Sequence, residues 1–180
     1  RHLLEAGRPL RRIVESGRIP NLIFYGPSGV GKTTVARIIA RQADMRLHKL
    51  NGTSASTADL RAVVEEVGSF AGHNGILLYL DEIQYLNKKQ QQSLLEYIED
   101  GSVTLIASTT ENPYFYIYNA VLSRCTVFEF KPVEPEDAVR AVRRAFSLLE
   151  EEYGEAALLE EGAAEQIARA CGGDVRKAMN

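Results

Sequence analysis

The sequence is poor in the residues that build disulfide frameworks and metal clusters. Its 180 residues contain two cysteines, Cys125 and Cys171, and three histidines. Two cysteines cannot form the disulfide framework of a small secreted domain, so we expect each to be a small buried apolar residue in a reducing compartment. The histidines His2, His48 and His73 stand apart in the chain, which argues against metal binding by these groups.

Long apolar runs are also missing. No segment approaches the ~18 apolar residues of a membrane-spanning helix, and the start is not signal-like. We therefore expect a soluble intracellular protein with no membrane partner. The formal net charge is −3, so any contact with DNA needs a local basic surface. The first residue is not Met and the last residues fall inside a helical pattern, so we expect a fragment of a longer protein.

A complete phosphate-binding loop stands between an expected strand and an expected helix. Residues 26–33 read GPSGVGKT, after the apolar run 22–25. In a GxxxxGK[ST] loop the glycines let backbone N–H groups face phosphate oxygens, with the positive end of the next helix behind them. The loop predicts binding of a nucleoside triphosphate, with Lys32 on the β- and γ-phosphates and Thr33 on Mg²⁺. The residues expected at the nucleotide are Gly26, Pro27, Ser28, Gly29, Val30, Gly31, Lys32, Thr33 and Thr34.

Strands and helices are expected to alternate along the first 131 residues. The continuous apolar run 76–80 is typical of a strand buried on both faces of a parallel sheet. We predict a three-layer α/β core with a parallel sheet, the architecture of P-loop nucleoside triphosphatases, over 1–131. The expected strands are 21–25, 46–51, 76–80, 103–108 and 126–130, and the expected helices are 9–16, 35–40, one capped by the Thr57 hydroxyl and running through Val67, and 87–100.

The pattern changes near Pro132. Residues 131–135 read KPVEP, and the chain beyond Glu136 is rich in helical periodicity without a strand signal. We predict a hinge at this point and a small α-helical lid over 132–180.

Two adjacent carboxylates, Asp81 and Glu82, follow the apolar run 76–80. Ligand sites in parallel sheets lie at the carboxyl ends of strands. We expect Asp81 to act on Mg²⁺ through water or Thr33, and Glu82 to orient and deprotonate an attacking water. The alternative is that the pair is a solvated helix start.

Two polar strand ends are further candidates. Thr110 follows the strand that ends at 108, and we expect it to reach the γ-phosphate or the attacking water. Asn51 ends the second strand and could hold Glu82 inactive, although a simple turn with Gly52 explains it equally well.

Two arginines complete the candidate set. Arg124 lies between a short helix and the last strand, and could serve the site of a neighbouring subunit as an arginine finger. Arg176 opens a helix of the lid and could report the phosphate state of the nucleotide. Either could instead be an ordinary surface or salt-bridged arginine.

With these residues in view, the chain resembles AAA+ ATPases of the clamp-loader clade. That family has the loop at 26–33, the acidic pair, a sensor at Thr110, the arginine finger in Ser123-Arg124-Cys125 and the lid arginine Arg176 in this order. A narrower resemblance is to the replication-associated recombination protein A (RarA/MgsA) family, whose eukaryotic relative is the Werner-helicase-interacting ATPase. The segments that carry it are 86–91, 98–106, 109–113 and 172–180.

The resemblance implies a function that spacing alone does not give. Members are DNA-dependent ATPases that use ATP and Mg²⁺ and act at stalled replication forks and single-stranded/double-stranded DNA junctions. They form homo-tetramers through a C-terminal region beyond this chain and associate with single-strand-binding protein. The expected location is the cytoplasm, at the nucleoid. Residues 2–4 resemble the stretch that flanks the adenine.

Three positions depart from the family pattern. Ser28 stands where a second proline is usual, Gln84 where the family usually has histidine after Asp-Glu-Ile, and Tyr25 where tryptophan is common. None of them touches the expected phosphate chemistry.

Other functions remain open at this point. The chain could be a clamp-loader-type subunit, another AAA+ remodeller or a scaffold subunit that does not hydrolyse ATP. A small-molecule kinase also uses such a loop, but Glu82 beside Asp81 favours activation of water. A GTPase is disfavoured because Asn87-Lys88-Lys89-Gln90 lacks the aspartate that reads guanine in an NKxD pattern.

Overall fold

The structure is a computed structural model, and it describes residues 7–66, 74–153, 160 and 162–179. Contacts between residues group the chain into two units. One comprises 1–25 and 32–130, and the other comprises 26–31 and 131–180. Each unit has its own cluster of buried apolar side chains.

The first unit contains a five-stranded sheet in which every strand pair is parallel, with strand order 2-3-4-1-5. This confirms the α/β fold with a parallel sheet. The apolar run 76–80 lies wholly inside the sheet and is buried. The strands are β1 (Leu22–Tyr25), β2 (Arg46–Asn51), β3 (Ile76–Asp81), β4 (Val103–Thr109) and β5 (Thr126–Glu129).

Helices connect these strands, as alternation along the sequence predicts. The helix expected at 87–100 runs over Lys88–Glu99, with Leu94 and Ile98 buried against the sheet core. The helices of this unit are α1 (Pro9–Ser16), α2 (Lys32–Gln42), α3 (Thr57–Glu65), α4 (Lys88–Glu99), α5 (Pro113–Tyr116) and α6 (Asn119–Leu122), with a 3₁₀ turn at Ile83–Tyr85.

The cap of α3 differs from the prediction. Ser56, not Thr57, is the N-cap residue, and its hydroxyl accepts a hydrogen bond from the Asp59 N–H at 3.2 Å. Asp59 completes a capping box by accepting the Ser56 N–H at 2.7 Å, an arrangement that satisfies two backbone donors. Ser56 has the extended backbone that a cap needs, whereas Thr57 is already helical. The expected end at Val67 lies outside the described residues.

The two cysteines are free thiols. Cys171 is buried, and Cys125 packs against the core of the first unit. Burial raises the pKa of the Cys125 thiol to about 12, so the thiol stays protonated and acts as a small apolar side chain.

After residue 134, most of the described residues of the second unit lie in helices. It contains α7 (Pro135–Tyr153), α8 (Ala163–Ala170) and α9 (Val175–Met179). Its core holds Ala138, Ala168 and Cys171, and an ion pair between Arg143 and Glu165 joins α7 to α8 at 2.7 Å. Within the described residues, no helix has the length and apolar character needed to cross a membrane.

Candidate active site

The carboxyl ends of three neighbouring strands bring together candidate residues of the first unit. Asp81 is the last residue of β3, and Thr110 directly follows β4. Strand β4 pairs with β1 so that Thr109 lies opposite Tyr25, the residue after which the phosphate-binding loop begins. The strand before Thr110 is therefore a neighbour of the strand that leads into the loop, and Thr110 itself is exposed at this edge.

Three hydroxyl groups link Thr33 to Asp81. The Thr33 and Tyr79 hydroxyl oxygens are 2.9 Å apart, and the Tyr79 hydroxyl donates to Ser108 Oγ at 2.9 Å. The Ser108 hydroxyl in turn donates to Asp81 Oδ1. Tyr79 and Ser108 are almost fully buried, so these bonds satisfy polar groups that have no access to solvent. We call the chain from Thr33 through Tyr79 and Ser108 to Asp81 the hydroxyl relay.

The hydroxyl relay fixes where the protons lie. Because Ser108 donates to Asp81 and Tyr79 donates to Ser108, the Thr33 hydroxyl must donate to Tyr79. Burial is the largest effect on the pKa of Tyr79 and raises it above its usual value, so this phenol keeps its proton. The lone pairs of Thr33 Oγ1 are then directed away from the relay and can face a cation.

Tyr79 and Ser108 were missed in the sequence. Tyr79 is embedded in the apolar run 76–80 and reads there as a core residue, and Ser108 reads as part of the next strand. The one sequence feature that could have indicated their role is the combination of a hydroxyl group two residues before Asp81 with another near the end of β4.

Glu82 has a left-handed backbone, with a φ of 55°. Such a conformation costs of order 1–3 kcal/mol for a residue with a side chain, and residues of this kind are enriched at functional sites. The turn after β2 braces it: the Gly52 N–H donates to the Asp81 carbonyl at 2.7 Å. A Cβ on Gly52 would lie 2.2 Å from the Glu82 carbonyl oxygen, so the close approach requires glycine.

Gln84 contacts the Glu82 carboxylate, and Asn51 makes a different contact. The Gln84 side-chain amide donates to Glu82 Oε2 at 2.5 Å. Asn51 Oδ1 instead accepts the Thr53 backbone N–H at 2.9 Å, which is the turn contact considered as an alternative for this residue. The amide that contacts the Glu82 carboxylate is therefore Gln84, one of the three positions where the sequence departs from the family pattern.

The phosphate-binding loop belongs to the second unit up to Gly31. Gly26, Gly29 and Gly31 all have positive φ values, of 143°, 71° and 93°, which is the backbone freedom expected of a loop that wraps phosphates. Two hydrogen bonds tie this loop to the start of α9. The Ser28 hydroxyl donates to Asp174 Oδ2 at 3.3 Å, and the Val175 N–H donates to the Gly29 carbonyl at 3.1 Å.

Asp174 serves the loop and α9 together. Its Oδ1 accepts the backbone N–H of Arg176 at 2.9 Å and that of Lys177 at 3.3 Å. The same side chain sits where a Cβ on Gly29 would be, 1.6 Å from that position. Arg176, the predicted lid arginine, lies on α9 with an exposed side chain.

Lys32 and Arg124 lie in the first unit. Lys32 begins α2 and is 8% exposed. Arg124 follows α6, as predicted, and its guanidinium forms an ion pair with Glu99 and donates to the Ala120 carbonyl at 2.9 Å. The Arg124 side chain is 42% exposed, so it is held within its own chain yet presented at the surface.

The chemistry of these residues fits a nucleoside triphosphate with Mg²⁺. Hydroxyl and carboxylate oxygens are the ligands that Mg²⁺ takes in phosphate sites, and Thr33 and Asp81 supply them at the two ends of the hydroxyl relay. A bound Mg²⁺ would neutralise charge on the phosphate oxygens. Within the loop, the three positive φ values fit a backbone that turns its N–H groups toward an anion.

The chain belongs to the ATPase family associated with various cellular activities, AAA, whose family model matches residues 22–133. That span begins with β1 and ends just beyond β5. The matched span includes the phosphate-binding loop and the acidic pair Asp81-Glu82.

Several relatives are similar along nearly the whole chain. Replication-associated recombination protein A of Escherichia coli strain K12 is 37% identical over 99% of this chain and 40% of its own length. The Bacillus subtilis protein of that name is 36% identical over 99% of this chain and 42% of its own. The ATPase WRNIP1 of Dictyostelium discoideum is 32% identical over 98% of this chain and 20% of its own. The chain thus spans less than half the length of these relatives.

Solved structures agree on the fold. The Thermotoga maritima RuvB, described as a Holliday junction branch migration motor, matches with a TM-score of 0.75 and 27% identity, over 94% of this chain and 55% of its own. An R170A variant of the same protein matches with a TM-score of 0.78 and 27% identity, over 94% and 57%.

We expect Gly29→Ala to destabilise the protein more than Gly31→Ala. Both substitutions place alanine at a positive φ, at a cost of roughly 1–2 kcal/mol, but only the Gly29 methyl would meet the Asp174 carboxylate. Adding Asp174→Ala should therefore recover part of the loss in Gly29→Ala and none in Gly31→Ala. Thermal unfolding without nucleotide measures all three comparisons. Equal effects of the two alanines would contradict the contact.

We expect Tyr79→Phe to lower the free energy of unfolding by about 1 kcal/mol, because the hydroxyl relay loses its central hydrogen bonds. The Mg²⁺ concentration for half-maximal ATP turnover should also rise, because Thr33 is no longer oriented. Denaturant unfolding and a Mg²⁺ titration measure the two effects. Tyr85→Phe, at a tyrosine 63% exposed, is the control and should change neither quantity. An unchanged Mg²⁺ dependence in Tyr79→Phe would leave the relay a purely structural role.

Proposed function

We propose that this chain hydrolyses ATP within a homo-oligomer that remodels DNA at stalled replication forks. The observation that carries the proposal is the hydroxyl relay, which joins the Thr33 hydroxyl to Asp81 beside the second carboxylate, Glu82. A hydrolase needs a place for the metal-bound phosphates and a base for water, and these residues supply both.

Glu82 is the proposed general base. Its left-handed backbone and the close packing of Gly52 against its carbonyl oxygen fix the backbone conformation of Glu82 next to Asp81. Gln84 donates to Oε2, and Oε1 would accept the proton of the attacking water. Transfer of the phosphoryl group to water, and not to a second substrate, distinguishes this assignment from a kinase.

Lys32 and Thr110 act on the phosphates. The Lys32 ammonium would bind the β- and γ-phosphate oxygens, and the Thr110 hydroxyl would orient the γ-phosphate or the water from the end of β4. Ser28 and Asp174 connect the loop to α9, through which Arg176 would respond to the phosphate state of the nucleotide.

Arg124 is proposed to act as an arginine finger in the ATP site of a neighbouring subunit. It is exposed and held by Glu99 in its own chain, and a guanidinium stabilises charge on a transferring phosphoryl group. Assembly would use a region of the full-length protein beyond this chain, as a tetramer.

The DNA part of the proposal is supported by similarity to proteins named for replication-associated recombination. The substrates we propose are single-stranded/double-stranded junctions, with single-strand-binding protein as a partner at the nucleoid in the cytoplasm. The full-length protein should hydrolyse ATP faster with forked or gapped DNA than with blunt duplex DNA.

We expect Glu82→Gln in the full-length protein to lower DNA-stimulated ATP turnover by about 10²- to 10⁴-fold, because the amide cannot accept a proton. Nucleotide affinity should stay within about twofold, since the phosphate ligands are intact. Turnover is measured by phosphate release and affinity with a fluorescent ATP analogue. Glu96→Gln, at an exposed residue of α4, is the matched control. Turnover retained in Glu82→Gln would remove this residue from the role of base.

We expect subunits carrying Arg124→Ala and subunits carrying Lys32→Ala to be inactive alone and to recover turnover when mixed. In a mixed oligomer some sites combine an intact Lys32 with an intact Arg124 from the neighbour, and such a finger is worth roughly 10³- to 10⁵-fold in rate. The control is Arg143→Ala, which removes another exposed, ion-paired arginine and should leave turnover unchanged. Absence of recovery on mixing, in oligomers shown to exchange subunits, would place Arg124 outside the neighbouring site.

A further inference from the structure

Three successive aromatic side chains project into solvent after β4. On α5, Tyr114 is 61% exposed, Phe115 is 81% exposed and Tyr116 is 52% exposed. Single exposed apolar residues are ordinary on protein surfaces, but three large exposed rings within one short segment are a concentration of apolar surface that needs an explanation. The proposed hydrolysis of ATP uses none of them.

These residues border a preformed groove. A groove of about 450 Å³ is lined by residues 114–119 together with Leu86, Lys88 and Gln91; we call it the aromatic groove. Gln91 is buried and forms hydrogen bonds with the backbone of two other residues that line the groove. The Gln91 side-chain amide donates to the Leu86 carbonyl at 3.0 Å, and its Oε1 accepts the Tyr118 N–H at 2.8 Å. These bonds fix the backbone at two residues that line the groove, which lowers the ordering cost of binding a ligand there.

Positive charge lies beside the rings. The Lys88 ammonium is 5.3 Å from the centroid of the Tyr118 ring, and Lys88 and Lys89 are both exposed in the first turn of α4. Lysine is depleted in protein–protein interfaces, whereas aromatic rings interleaved with cations are typical of surfaces that bind single-stranded nucleic acid. There the rings stack on bases and the cations contact phosphates.

We propose that the aromatic groove binds the unpaired bases of single-stranded DNA, with Phe115 and Tyr114 stacking on bases and Lys88 contacting a phosphate. This inference rests on the proposed function, since it names the surface through which a DNA-dependent ATPase engages one strand. Duplex DNA does not present free base faces, so the groove favours the single-stranded part of a junction.

The test measures binding of the full-length protein to a fluorescent 30-nucleotide thymidine strand by anisotropy, without nucleotide. Phe115→Leu keeps apolar surface but loses the ring, and should weaken binding by at least about fivefold, the lower end of the cost of removing one stacking contact. Phe115→Trp should bind at least as well as the unsubstituted protein. Leu149→Ala, at an exposed aliphatic residue of α7, is the control and should have no effect.

Two further measurements separate stacking from charge. An abasic strand of the same length should bind the unsubstituted protein more weakly than the thymidine strand, and Phe115→Leu should reduce this preference. Lys88→Ala should instead lower the slope of log affinity against log salt by about 0.7, the value for one phosphate contact on a single strand.

Three outcomes would overturn the inference. The first is equal binding by Phe115→Leu and the unsubstituted protein, and the second is no binding of the strand by either. The third is loss of binding in Phe115→Leu together with loss of the oligomer in sedimentation, which would make the groove an interface between subunits. ATP turnover without DNA should be unchanged in Phe115→Leu. Absence of turnover in the unsubstituted protein would refute the proposed hydrolysis while leaving the binding result to decide the groove.

Discussion

Strands β3 and β4 are buried, and every hydroxyl group inside them must find a partner within the protein. Tyr79 and Ser108 meet this requirement by bonding to each other, to Thr33 and to Asp81. A buried hydroxyl without a partner costs about 1–3 kcal/mol. The hydrogen bonds that satisfy the buried hydroxyl groups are therefore the same bonds that orient Thr33 and Asp81. The order of β3, β4 and β1 in the sheet then brings Asp81, Thr110 and Tyr25, the residue before the loop, to one edge.

The parts of the fold that follow from local patterns were predictable. Apolar runs such as 76–80 specify strands because a strand buried on both faces tolerates few polar residues, and the strand and helix bounds agree within a few residues. The loop and the acidic pair were predictable too, since each is a short contiguous motif. Tyr79 and Ser108 were not, because they are 29 positions apart and their contact depends on the pairing of β3 with β4.

The sequence alone also did not decide between pairs of polar residues with the same chemistry. Ser56 and Thr57 are both capable caps, and the backbone conformation at the start of α3 decides between them. Asn51 and Gln84 are both amides that could contact Glu82. The turn with Thr53 occupies Asn51, while the 3₁₀ turn after Glu82 places Gln84 two residues from the carboxylate it contacts. In both cases the side chains are equivalent in chemistry and only the backbone path separates them.

The bonds between the phosphate-binding loop and α9 carry a thermodynamic consequence. Ser28 bonds to Asp174, and Gly29 bonds to Val175 in the first turn of α9. A change in the conformation of this loop would therefore change the free energy of forming α9. Linkage is reciprocal: if a nucleotide bound to the loop changes the stability of α9, then anything that changes the stability of α9 changes the affinity for the nucleotide in turn. A mechanical load applied to this short helix would thus act as an effector of nucleotide binding, with no second ligand required.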